Sequence, residues 1–316
     1  MLPADLSRLK QKLNDSIVSG GPGSRVAIVG WCEEAFDIAA MPLFQAGVAK
    51  LEGFFALQSE GSVRSLDELQ ALAPDIVVVA QDAGKEALLE AIAPLVSPAT
   101  RLLVGGYAHF DFSDPGFDRA RKNAYVQSLA NGYPHCLVHI YQCLKNSHLR
   151  GLGGVVAEFG MFKGGTTMLI SRFIEEIGAS WKVFGFDTFD GFPDRRSALD
   201  MYNHPDCVFT DTEVVRAVFK DRNVEVVAGD VVETVSRLAN EDLVLSFVDT
   251  DNYTSASAII KVIAERTQVG GAIIFDHWAG TNLFVDTIGE RIAAKVLAAD
   301  ARYFNLHGTG VFFRQQ

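Results

Sequence analysis

The residues whose types and spacing could do chemistry lie in the second half of the chain. The stretch L-S-F-V-D-T-D-N-Y (residues 245–253) ends an apolar run at Asp249, and G-G-A-I-I-F-D-H-W (residues 270–278) ends another at Asp276 and His277. Apolar runs of this kind read as buried parallel strands. Carboxylates at two strand ends converge at the carboxyl edge of such a sheet, where these folds bind ligands. Asp249, Asp276 and His277 together offer O, O and N donors to a hard divalent cation. The same residues also make a metal-free site, in which Asp249 orients a substrate. His277, with an ordinary pKa of about 6.5, would then serve as general base.

Three further features precede these. In V-V-A-E-F-G-M-F-K-G-G-T-T (residues 155–167) a strand ends at Glu158, and Gly160, Gly164 and Gly165 let the backbone turn tightly beside a ligand. A helix beginning near Thr166 would present free N–H groups to an anion. A glycine-rich turn alone is equally just a turn. In V-F-G-F-D-T-F-D-G-F-P (residues 183–193), Asp187 ends the next strand. An acidic residue there accepts hydrogen bonds from ribose hydroxyls, or else caps a helix. In V-V-A-G-D (residues 226–230), Asp230 follows a third strand and is either a ligand contact or a turn residue. His307, in L-H-G-T-G, is a further candidate base or a packing residue at a strand end.

Taken in order, E-x-G-x-x-x-G-G, F-D-T-F-x-G-F-P, G-D, V-D-x-D-x-Y and G-G-x-x-x-x-D resemble the macrocin O-methyltransferase (TylF-like) family of class I methyltransferases over about residues 137–285. The resemblance implies S-adenosylmethionine as cofactor. It implies contact with the methionine moiety at Glu158 and the Gly160–Gly164 turn, with the ribose at Asp187, and on the adenine side near Asp230. It implies Mg2+ on residues matching Asp249, Asp276 and His277. The family has a second carboxylate at the last of these, and the softer histidine argues against Mg2+ itself. The implied reaction is in-line methyl transfer to a hydroxyl of a small molecule, a sugar or natural product. Two other readings stay open: a cofactor-binding protein without catalysis, and an oxidoreductase using a nicotinamide cofactor.

The elements that must position these residues follow from the apolar patterning. Hydrophobic residues make up 48% of the 316-residue chain and charged residues 21%, enough for two ordinary cores and too little charge for disorder. The spacing predicts an α/β protein: a Rossmann-like methyltransferase domain over 137–316, preceded by a smaller Rossmann-like α/β domain over 1–110, with 111–136 as linker. The small domain should hold a helix over 4–18, strands at 25–30, 51–57, 75–80 and 101–105, and helices over 65–71 and 86–95. After its first strand comes Gly30-Trp31-Cys32-Glu33 in place of G-x-G-x-x-G. The domain therefore resembles small nucleotide-binding modules only loosely, and a scaffold role is the alternative. The larger domain should open with a helix over 137–145. Strands should follow at 155–159, 183–187, 224–228, 243–249 and 272–276, with two short strands around His307–Gly310.

A net charge of −11 and a pI of about 5.1 argue against a nucleic-acid partner. The four cysteines form no C-x-x-C pair and read as reduced thiols. Without an apolar leader or an 18-residue apolar span, a cytoplasmic protein with no membrane partner is expected. A small-molecule substrate is the expected partner, and a homo-oligomer is left open.

Overall fold

The computed structural model describes residues 1–58, 61–106, 112–122, 125–279 and 285–316. Two compact units divide at Phe112 and Ser113.

The first unit is a five-stranded parallel sheet in the order β3-β2-β1-β4-β5. Its strands are β1 (Ser24–Val29), β2 (Ala49–Ala56), β3 (Arg64–Ser65), β4 (Ile76–Val79) and β5 (Arg101–Val104). Its helices are α1 (Pro3–Gly20), α2 (Glu33–Ala39), α3 (Pro42–Gln45), α4 (Glu68–Leu72) and α5 (Lys85–Ile92). All four residues of β4, Ile-Val-Val-Val, are buried, because both faces of the sheet are covered. Leu9, Leu13 and Ile17 of α1 pack on Val26 and Ile28, while Leu88 and Ile92 of α5 pack on Val77 and Val79. The two-residue β3 was not legible in the sequence; it pairs with β2 only through Phe55–Arg64 and Ala56–Ser65. Lys85 is buried, its ammonium bonded to the Gly105 carbonyl and the Asp82 carboxylate.

The second unit holds a seven-stranded sheet in the order β11-β12-β10-β9-β6-β7-β8. Five strands are parallel: β6 (Val155–Phe159), β7 (Lys182–Asp187), β8 (Val224–Ala228), β9 (Leu243–Val248) and β10 (Thr267–Phe275). The hairpin β11 (Tyr303–Asn305) and β12 (Val311–Arg314) closes one edge antiparallel. The helices are α6 (Pro115–Arg121), α7 (Cys136–Leu149), α8 (Gly165–Glu176), α9 (Thr212–Phe219), α10 (Val231–Thr234), α11 (Tyr253–Arg266) and α12 (Ile288–Ala299). Strand β10 begins five residues before the expected 272, since Thr267 already pairs with Leu243. The register shift that follows spans Gly270 and Gly271, residues poor in strand propensity, so the pattern conceals the early pairing.

The segment 111–136, expected as a linker, belongs from Ser113 on to the second unit. Its Asp-Pro-Gly sequence starts a helix: the Asp114 carboxylate accepts from the Gly116 and Phe117 amides, with Pro115 in the first turn. Phe117 then stacks on Phe173 of α8, ring centroids 5.4 Å apart, and meets Tyr141 of α7 edge-on. Among the described residues no helix is long and apolar enough to cross a membrane.

Candidate active site

The strand register brings the chemistry-bearing residues to one level. Phe159 of β6 pairs with Phe186 of β7 and Val248 of β9, and Val248 pairs with Phe275 of β10. Gly160, Asp187, Asp249 and Asp276, one residue further on, therefore leave the sheet together at its carboxyl edge. β6 and β9 are neighbours although the chain has passed through β7 and β8 between them, so this is the sheet's topological switch point.

A cavity of about 340 Å³ opens there, lined by Glu158, Gly160, Asp187, Asp249, Asp251 and His277, among others. The glycine turn is built for close approach. Gly160 has φ +88°, and a Cβ on it would collide with the Asp249 carbonyl. Gly164 has φ +83° and is the N-cap residue of α8; a Cβ there would sit 2.6 Å from the Phe219 ring. Gly164 itself does not line the cavity, whereas Gly165 does.

Glu158 is buried and accepts a hydrogen bond from the Thr167 hydroxyl. Burial pushes its pKa up to about 8, against the pull of that hydroxyl, with the Asp187 charge adding to the rise. Asp187 accepts 2.8 Å bonds from the Phe162 and Phe189 amides, joining the glycine turn to its own loop. Burial raises its pKa too. The Thr188 amide and hydroxyl, with those two amides, oppose that rise by favouring the charged form.

Asp230 is placed differently from the expectation. Its carboxylate caps α10 through the Val232 amide at 2.9 Å and pairs with Arg196 at 2.5 Å. Its neighbours Gly229 and Val231 line the cavity, and Asp230 does not.

On the far side, His277 is the hub. Its Nε2 lies 2.9 Å from Asp251 Oδ1, 3.4 Å from Asp249 Oδ1 and 3.7 Å from Asp276 Oδ2. Burial alone would lower its pKa. Hydrogen bonds to Asp249 and Asp251 and the charge of Glu290 overcome that and push it up to about 12. Asp249 moves well above the ordinary carboxylate value, because it is buried and faces the Asp276 charge.

The atoms that converge as donors belong to Asp249, Asp251 and His277, all within 4.8 Å of one another. Asp276, expected in that set, lies beside it and is taken up by backbone amides instead. Its Oδ1 accepts from the Asn131 and Gly132 amides at 2.8 and 2.7 Å. It thereby fastens the segment that carries Val126, Gln127, Leu129 and Asn131 to the cavity wall. Two carboxylate oxygens and an imidazole nitrogen fit a divalent cation of borderline softness, once His277 has lost its proton. His307 lies exposed in the β11–β12 turn, outside the cavity lining.

Residues not singled out from sequence complete the site. Asp251 adopts φ +63°, a left-handed conformation that Asp tolerates better than most residues. Tyr202, Phe192 and Cys207 come from the long excursion after β7. Asn252 holds that excursion through both Tyr202 backbone groups, donor and acceptor, at 3.0 and 2.9 Å. Asp200 accepts from the Arg196, Ser197 and Thr254 amides and from the Thr254 hydroxyl. The D-T-D-N-Y run pointed toward Asp251 and Asn252; no local pattern marks Asp200.

A family model described as Macrocin-O-methyltransferase (TylF) matches residues 134–315, more than half of the chain. No curated protein matches. Similar solved structures include the O-methyltransferase NovP, at 20% identity over 57% of this chain and 79% of that one, with a TM-score of 0.48. The calicheamicin methyltransferase CalS11 is also 20% identical, over 65% of this chain and 95% of its own, with a TM-score of 0.45. The chain belongs to the macrocin O-methyltransferase (TylF) family and is an S-adenosylmethionine-dependent methyltransferase.

Proposed function

We propose that the cavity holds S-adenosylmethionine against Glu158 and Asp187 and transfers its methyl group to a hydroxyl of a sugar or natural product placed beside Asp249, Asp251 and His277. The observation that supports this most is the convergence of both groups of residues on one cavity at the switch point. The sulfonium carries its own activation, so the protein must orient, exclude water and accept a proton. The acceptor oxygen forms the new C–O bond as the C–S bond breaks, leaving S-adenosylhomocysteine.

The hydroxyl proton needs a destination. His277, with its pKa pushed up to about 12, is an imidazolium at neutral pH and has no lone pair to offer. The base role considered for it passes to Asp249, whose ionised form is favoured by the imidazolium 3.4 Å away. The imidazolium then stabilises negative charge growing on the acceptor oxygen. Asp249, Asp251 and a neutral His277 would hold a divalent cation, which would supply Lewis-acid acidification of the hydroxyl. Tyr202 and Phe192, edge-to-face with centroids 5.3 Å apart, present an aromatic wall to the acceptor.

The test is transfer of a labelled methyl from S-adenosylmethionine to a panel of sugars, glycosides and phenolic natural products, followed by mass spectrometry. One methyl gained on a hydroxyl supports the reading. Tight cofactor binding with no transfer to any acceptor class would leave a binding protein without catalysis.

A further inference from the structure

Helix α12 supplies one side chain to the frame of the site. Glu290, in its first turn, has 0% of its surface exposed. Its Oε2 accepts from the Thr250 and Asp251 amides at 2.8 and 3.0 Å, and its Oε1 from the His277 amide at 3.1 Å. A glutamate in a first helical turn is ordinarily explained by the helix dipole. This one bonds instead to amides of two other segments, the turn after β9 and the end of β10. Those segments carry Asp249, Asp251 and His277. Gly289 lets α12 start close to its neighbours, since a Cβ there would collide with the Leu199 carbonyl and lie 3.0 Å from the Tyr253 nitrogen.

The turn it holds needs holding. Asp251 sits at φ +63°, a conformation that persists in a non-glycine residue when its surroundings enforce it. Only a carboxylate serves all three amides. A glutamine would offer one acceptor oxygen and would turn an NH2 group toward an N–H.

We propose that Glu290 is the positioning residue that ties the Thr250–Asp251 turn to the His277 backbone, and so sets the spacing of Asp249, Asp251 and His277 around the acceptor hydroxyl. This rests on the reading of the cavity as the methyl-transfer site. Its consequence is a division of labour: α12 controls the acceptor side, while the cofactor side, held by Glu158 and Asp187, is independent of it.

The test compares Glu290→Gln and Glu290→Ala with Leu297→Ala, a core truncation on the same helix. In the full-length protein, amide exchange at Thr250, Asp251 and His277 should speed up by about tenfold or more in the Glu290 variants, as charge-assisted hydrogen bonds are lost. The ring-nitrogen resonances of His277 should move in Glu290→Gln and stay in Leu297→Ala. Affinity for S-adenosylhomocysteine should hold within about twofold in Glu290→Gln, well inside the tenfold that corresponds to about 1.4 kcal/mol. With an acceptor from the panel above, kcat should fall while the KM for S-adenosylmethionine holds. Unchanged amide exchange and unchanged His277 resonances in Glu290→Gln would overturn the proposal. So would a matching response in Leu297→Ala, which would reduce Glu290 to general stability. If Glu290→Ala fails to fold, Glu290→Gln carries the comparison. Failure of the wild type to bind S-adenosylhomocysteine would instead overturn the methyl-transfer reading, leaving the exchange and resonance results to judge Glu290.

Discussion

Replacing Asp187 with alanine should separate the two halves of the cofactor account. Its carboxylate spends one oxygen on each of two amides, Phe162 and Phe189, both at 2.8 Å. Asp187 lines the cavity, where a ribose diol would donate to its carboxylate. Hydrogen bonds to a charged group contribute about 1.5–3 kcal/mol, so Asp187→Ala should weaken S-adenosylhomocysteine binding by roughly 10- to 150-fold. The variant also frees two loop amides, which lowers stability. Affinity must therefore be read by calorimetry well below the unfolding temperature. Comparison with a 2′,3′-dideoxy analogue isolates the ribose contribution. The wild type should discriminate against the analogue, and Asp187→Ala should not. Equal affinity of wild type and variant for S-adenosylhomocysteine would refute the ribose assignment.

Other expectations follow from the same geometry. Glu158 has a folded pKa of about 8 against an unfolded 4.5, so its neutral form is favoured in the folded state. Its contribution is fully present below about pH 4.5 and is lost as pH rises through about 8, an effect of up to about 5 kcal/mol. Thermal unfolding of the ligand-free protein should therefore show a fall in stability over that window, and Glu158→Gln should flatten it. A divalent cation on Asp249, Asp251 and His277 must displace the imidazole proton, so Mn2+ affinity should rise by up to about tenfold per pH unit near neutrality. Asp251→Asn should weaken Mn2+ more than Asp276→Asn, and absence of Mn2+ binding at pH 6.5 and pH 8 would remove the ion from the site. A chain beginning at Ser113 should keep its circular-dichroism signal and its cofactor affinity, because every cofactor-facing residue lies later; loss of both would show that the two units share a core.

Much of the architecture is legible because buried parallel strands announce themselves, as the apolar runs Val155–Phe159 and Leu243–Val248 do. The strand ends Glu158, Asp187, Asp249 and His277 came with them, since the end of a strand fixes which edge a residue reaches. What failed was the side of the chain. Asp276 and His277 are adjacent but lie in the turn beyond β10, where strand alternation no longer says which way each side chain goes. His277 reaches Asp249 and Asp251, while the buried Asp276 accepts from the Asn131 and Gly132 amides. Asp251 was overlooked for the same reason. Two residues beyond a strand end there is no alternation to follow, and only the left-handed turn at Asp251 returns its carboxylate to His277. Asp230 satisfies a helix N-terminus, while its neighbours Gly229 and Val231 line the cavity. Asp114 and Glu290 act over 27–31 and 13–40 residues of sequence, beyond any local pattern.

The central claim is that one cavity at the switch point of the second sheet holds S-adenosylmethionine. Calorimetric titration of the full chain with S-adenosylhomocysteine tests it most directly. The account predicts saturable binding of one molecule per chain, weakened in Asp187→Ala and not competed by NAD or NADP. No saturable heat with S-adenosylhomocysteine, or displacement of it by a nicotinamide cofactor, would contradict the account.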